Sequence, residues 1–196
     1  MDIDKNLELV IKELESTERI GISKLTKWLS ETDFKTAPAS VKYHLSVLGG
    51  LAKHSLNVLK FARAIVKEAE LEIDDKSIIL SELLHDICKV NFYVEGEEWD
   101  KAWKDKYNEW QKKKVWKVDD KQPLGHGEKS AILAARFLDL TTDELAAIRW
   151  HMLKWDVSDS SKYTLSDAMD RYPLVKVIAQ ADSMAELYET AHKEDK

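Results

Sequence analysis

The residues best equipped for chemistry are His85 and Asp86, embedded in an apolar run from Ile78 to Cys88. A carboxylate costs several kcal/mol to bury without a partner, and Leu83, Leu84 and Ile87 mark this stretch as core. A divalent cation is the most direct compensation for Asp86, because imidazole and carboxylate both ligate hard or borderline ions. Other polar residues in apolar surroundings form an ordered set with this pair. His54 follows Leu51 and precedes Val58, His126 follows Gly125, His151 follows Ile148, and Asp182 lies in the apolar stretch 177–185. Buried one by one these groups are costly, and a shared metal satisfies them together. The plainer alternative treats each imidazole as a hydrogen-bonded core residue. His44, between Tyr43 and Leu45, suits either support behind the ligands or simple packing. His192 sits in a polar tail and is set aside.

The elements that must position these groups read as helices. Leu7, Val10, Ile11 and Leu14 recur at helical spacing, and Ile22, Leu25 and Leu29 continue the pattern in a second helix. Pro38 disfavours helix at Ala37 and breaks it. Gly49 and Gly50 open a long helix through Leu51, His54, Val58, Leu59, Ala62 and Val66. Asp74 reads as the N-cap of a helix through about Cys88. Another runs from about His126 to about Leu138. Thr141 and Glu144 form a capping box before Leu145 to about Met152, and Pro173 opens a last helix to about Ala191. Residues 91–125 differ, being rich in Trp, Lys and Asp. They read as an excursion of one helix between loops. No apolar alternation persists over five residues, so the expected fold is all-α. We expect a single helical domain over 36–196, with a short helical extension, 1–35, packed on its core.

Composition limits the function classes. The chain has 196 residues, 44% hydrophobic, enough for a real core in one domain. Its net charge of -6 argues against a broad nucleic-acid surface. Cys88 is the only cysteine, which excludes an internal disulfide and fits a reducing cytoplasm. Residues 1–5 lack a basic stretch followed by an apolar run, so no secretory signal is expected, and no apolar run approaches the roughly 20 residues of a membrane span.

The ordered pattern His54, His85-Asp86, Asp182 resembles the HD-domain metal-dependent phosphohydrolase superfamily, whose signature is H…HD…D. Three stretches strengthen the likeness. Ala37-Pro38-Ala39-Ser40 with His44, and Gly49-Gly50-Leu51-Ala52-Lys53-His54, resemble the approach to the first histidine, including that in a bacterial exoribonuclease. Leu84-His85-Asp86-Ile87-Cys88-Lys89 resembles the HD-I-x-K core, with Cys88 where Gly is usual. Gly125-His126-Gly127-Glu128 and Ile148-Arg149-Trp150-His151 resemble the third and fourth histidine positions of members with two metals. The resemblance implies that His54, His85, Asp86 and Asp182 ligate a first ion, and that Asp86 bridges to a second held by His126 and His151. It implies one or two divalent transition ions: Mn, Fe, Ni, Co or Zn, and less easily Mg.

On that basis a metal-bound hydroxide attacks phosphorus in a phosphate ester. Lys89 is the first candidate for a phosphate contact, or else a lysine favoured by a helix C-terminus. Glu128 is a candidate to orient a ligand or to protonate the leaving group, or else is a surface or helix-start charge. Lys129 and Arg149 are further phosphate candidates, and Trp150, beside His151, is a candidate to line the pocket. The tryptophans and lysines of 91–125 either stack a base or pin the connection to the core. The expected function is cleavage of a phosphomonoester of a nucleotide or similar small compound. Alternatives are a phosphodiesterase or exonuclease on cyclic nucleotides or short oligonucleotides, and a non-catalytic nucleotide-sensing module. No membrane partner is expected, extended nucleic acid is disfavoured, and an oligomer is compatible with the sequence.

Overall fold

A computed structural model of the chain describes residues 1–192; positions 193–196 of the expected domain lie outside them. Two helices lead, α1 (Ile3–Ser16) and α2 (Ile22–Glu31). The Asp2 carboxylate caps α1 by accepting the Lys5 N–H at 3.1 Å. A short 3-10 turn at Asp33–Lys35 and a loop, 36–49, lead to α3 (Gly50–Glu68). Gly49 enters α3 at φ 78, a left-handed conformation, and a Cβ there would meet Ile3 Cγ2 at 2.0 Å. The bundle continues with α4 (Asp75–Leu84), capped by Asp74 as expected.

The expected helix to about Cys88 stops earlier. The α4 helix ends at Leu84, and a 3-10 turn, Ile87–Lys89, follows His85 and Asp86. An unbroken helix would turn these two side chains about 100° apart. Stopping at His85 lets both point to the same interior.

The excursion is also a correction. It holds two antiparallel strands, β1 (Tyr93–Trp99) and β2 (Lys112–Val118), around a short helix, α5 (Lys101–Tyr107). Burial does not alternate along either strand, so hydrophobic periodicity carries no signal there. Charge does the pairing. Glu97 and Glu98 face Lys114 and Lys113, and the Lys113–Glu98 ion pair measures 3.4 Å.

The rest is helical: α6 (His126–Ala135), α7 (Thr142–Trp150), α8 (Lys162–Arg171) and α9 (Pro173–Ala191). The capping box of Thr141 and Glu144 is present in α7. Sequence periodicity does not announce α8, whose buried residues are only Leu165 and Ala168. The fold is thus all-α with one hairpin appended.

One core cluster runs from Val10, Leu14 and Phe34 through Leu51, Leu83 and Ile148 to Ile178 and Ala185. The first two helices therefore share the core of the remainder. A buried carboxylate strengthens this joint. Glu144, fully buried, accepts from both guanidinium nitrogens of Arg19, at 2.6 and 3.0 Å, and from the Ser77 hydroxyl at 2.8 Å. No described helix is long and apolar enough to cross a membrane.

Candidate metal centre

Three helix ends and two helix interiors aim side chains at one point. His85 and His151 are the residues on which α4 and α7 end. Each uses its Nδ1–H to satisfy a last-turn carbonyl: His85 donates to Glu82 O and His151 to Ile148 O, both at 2.7 Å. A carbonyl only accepts, so Nδ1 carries a hydrogen and Nε2 is the ring nitrogen left to face the interior. Those two Nε2 atoms are buried and have no hydrogen-bond partner among the described residues. His126 opens α6, while His54 and Asp182 project from α3 and α9.

These groups converge on Asp86. Its Oδ2 lies 3.4 Å from His85 Nε2 and 3.9 Å from His54 Nε2. Its Oδ1 lies 2.7 Å from His126 Nε2 and 3.7 Å from His151 Nε2. Each carboxylate oxygen thus faces a different pair of imidazoles. Asp182 Oδ1 adds a 3.0 Å contact to His54 Nε2. The rings of His44, His54, His85, His151 and His126 follow one another at centroid separations of 4.6, 5.4, 5.0 and 5.2 Å. His54, His85, Asp86 and His151 are all at most 3% exposed.

Protons and one lysine balance the acids. Burial alone lowers the basicity of His54, but hydrogen bonds to Asp182 and Glu189 override it and hold the imidazole up at about 10. For His126, burial is likewise outweighed by the hydrogen bond to Asp86, again giving about 10. Burial and the nearby His85 push His151 down to about 3, so it is neutral. Burial alone would raise Asp86, yet Lys89 and His85 keep it well below the usual carboxylate range. Protons on His54 and His126 stand where a cation would.

The donor set fits a divalent metal. It offers imidazole nitrogens and carboxylate oxygens, and two orphaned nitrogens point into the same buried space. His54, His85 and Asp86 present ligand atoms mutually within 4.8 Å, as do Asp86, Cys88 and His126.

The family model of the HD domain matches residues 51–187. The chain belongs to the HD-domain family. No curated protein and no solved structure matches it. HD-domain membership points to metal-dependent phosphohydrolase activity in general, and the His/Asp cluster is where a divalent metal would sit.

The remaining candidates of this HD domain are placed as follows. Lys89, largely buried, donates to Asp86 Oδ2 at 2.6 Å and to the Ala39 carbonyl at 2.7 Å. Glu128 pairs with Arg149 through one oxygen, while its other oxygen is buried without a partner. Arg149 also reaches Asp156 at 3.3 Å and stacks on Trp150 at 3.9 Å. Lys129 is committed to Asp120 at 2.7 Å and lies over the Phe92 ring. His44 contacts Glu186 at 3.0 Å, and exposed His192 bonds the Tyr188 carbonyl.

Sequence reasoning missed three residues. Glu189 accepts from His54 Nδ1 at 3.1 Å and from Asn57 at 2.7 Å, which fixes the His54 ring. Its signal was its place two turns beyond Asp182 on one helix face. Glu82 is fully buried with both oxygens unpartnered, and burial together with Asp182 pushes its carboxyl well up. A lone acid amid Ile78 to Leu84 was that signal. Tyr93, on the hairpin, is raised to about 12 chiefly by burial, with Lys89 beside it opposing. Nothing in the sequence pointed to Tyr93. A groove of about 1780 Å³ runs beside the centre between the loop 41–48 and the hairpin; it includes Asn57, Glu189, Trp116 and Lys114.

Proposed function

We propose that this chain is a phosphohydrolase that cleaves a phosphomonoester of a nucleotide or similar small phosphate compound. The observation that carries the reading is the division of Asp86, whose two oxygens face two separate imidazole pairs. His54, His85, Asp86 and Asp182 would hold one ion, and Asp86, His126 and His151 a second. Divalent ions of the Mn, Fe, Ni, Co or Zn class acidify water and neutralise charge on phosphoryl oxygens.

The chain's own groups do the rest. Glu189 and the two last-turn carbonyls hold three rings in the orientation that frees Nε2. Lys89 keeps a positive charge against Asp86 and is the ammonium closest at hand for an incoming phosphate. The unpartnered Glu128 oxygen is the candidate to hand a proton to the leaving group. Lys129 and Arg149, already paired with acids, would bind phosphate only by exchanging those partners.

Trp116 and lysines of the hairpin line the adjacent groove, which supports a nucleotide with its base stacked and its phosphate attracted. The groove exceeds the roughly 1,000 Å³ of an ordinary small-molecule pocket. That size favours a second reading, a phosphodiesterase or exonuclease acting on short oligonucleotides. The buried free thiol of Cys88 suits the cytoplasm.

The test is a hydrolysis screen with Mn, Co or Ni. It covers nucleoside mono-, di- and triphosphates, bis-p-nitrophenyl phosphate and short RNA, with Asp86→Ala alongside. Phosphate release from monoesters, abolished in Asp86→Ala, supports the first reading. Cleavage of diesters or RNA alone moves the function to the second. Nucleotide binding without hydrolysis under every metal reduces the chain to a sensing module.

A further inference from the structure

Cys88 stands two residues beyond Asp86, on the 3-10 turn that follows it, and is only 3% exposed. Its backbone N–H donates to Ser130 Oγ at 3.2 Å, tying the turn to α6. The turn aims Sγ at the His126 ring, 3.4 Å from Nδ1 and 3.7 Å from Nε2. A tetrahedral zinc-type ion with a sulfur and a nitrogen ligand holds those two atoms about 3.6 Å apart. An independent observation points into the same space. His151 Nε2, buried and without a partner, lies 3.7 Å from Asp86 Oδ1, the oxygen that His126 also contacts.

We propose that Cys88 completes the second ion position as a thiolate ligand, making a four-donor site of Asp86 Oδ1, His126, His151 and Cys88. The proposal rests on the metal-centre reading above and deepens it by naming the class of ion. Thiolate is a soft donor that favours Zn, Co or Fe(II) over Mn and Mg. The thiolate adds a negative charge to the shared Asp86 carboxylate and so offsets more of the second ion's charge. The thiol proton leaves to solvent as the ion enters. The first position, with imidazole and carboxylate donors only, stays permissive.

Cys88 is the chain's only cysteine, so any thiolate signal belongs to it. The test is a stepwise Co(II) titration of the metal-free full-length chain, followed by absorption. The expected result is a near-ultraviolet thiolate-to-cobalt charge-transfer band. It is lost in Cys88→Ser and in Cys88→Gly, while visible cobalt bands from the first position persist. In competition, the preference of the second position for Zn over Mn falls at least about tenfold in both variants. Two equivalents of cobalt bound with no charge-transfer band in the unsubstituted chain overturn the role of Cys88 and leave the His/Asp centre standing. Sγ is then only a hydrogen-bond partner of His126. No cobalt bound at all overturns the metal centre, and the thiolate with it.

Discussion

Asp86 is the residue on which the interior charge turns. Its carboxylate touches Lys89 and four imidazoles, so its removal does two different things. Asp86→Ala leaves the Lys89 ammonium buried with only the Ala39 carbonyl, which costs about 3–5 kcal/mol in unfolding measurements. Adding Lys89→Met should recover much of that stability and none of the bound metal, read by elemental analysis. A recovery of metal would show that Asp86 is not a ligand. Glu189 acts through His54, and pH exposes it. The His54 imidazole is held at about 10, above the roughly 6.5 of an unfolded chain. Its contribution to the stability of the metal-free chain is therefore complete below about pH 6.5 and is lost as pH rises through about 10. Glu189→Gln should destabilise the metal-free chain by about 2 kcal/mol at about pH 6. The loss should shrink toward about pH 10; a loss independent of pH would mean Glu189 only packs. The candidate cluster was legible because each member is a polar residue stranded in an apolar context. Glu189 was marked only by its place two turns beyond Asp182, and Tyr93 by nothing, since a strand Tyr is an ordinary surface residue until the fold turns it inward.

Elements set the spacing of these groups, and the tightest approach lies beside the proposed second ion. A Cβ on Gly127 would come within 2.0 Å of the Arg149 carbonyl oxygen, so α6 and α7 meet there backbone to backbone. Gly127→Ala should force the two helices apart at a cost of about 1–3 kcal/mol. It should separate His126 from His151 and leave His54, His85 and Asp182 in place. Metal titration should then show one strong ion instead of two; two undiminished ions would sink the assignment of the second position to α6 and α7. The helices themselves were readable from apolar spacing and caps, as at Asp74, Gly49 and Thr141. The end of α4 was not, because Leu83 to Ile87 is as apolar as the helix before it and only the folded His85–Glu82 contact stops the turn. The hairpin was hidden for the opposite reason: its faces are largely exposed and its register rests on Glu and Lys pairs.

Across the whole molecule, the interior gathers Asp86, Asp182, Glu82 and five imidazoles, a group balanced by protons where no cation is bound. Binding to the folded chain alone must stabilise it. Zn or Co at about 100 times its dissociation constant should add about 2.7 kcal/mol per ion. For a chain of this size that raises the unfolding temperature by about 5–10 °C. A chelator should reverse the gain, and a melting curve indifferent to both would mean the centre binds nothing. Arg19 reaches across from the leading helices to neutralise Glu144, a carboxylate inside the segment that matches the family. A fragment trimmed to 51–187 would carry every proposed ligand yet deprive that acid of its cation, and expose the face where Val10, Leu14 and Phe34 had docked. The smallest piece expected to stand by itself is thus larger than the piece by which kinship is detected, and domain transplants or minimised versions of the chain should begin before Arg19.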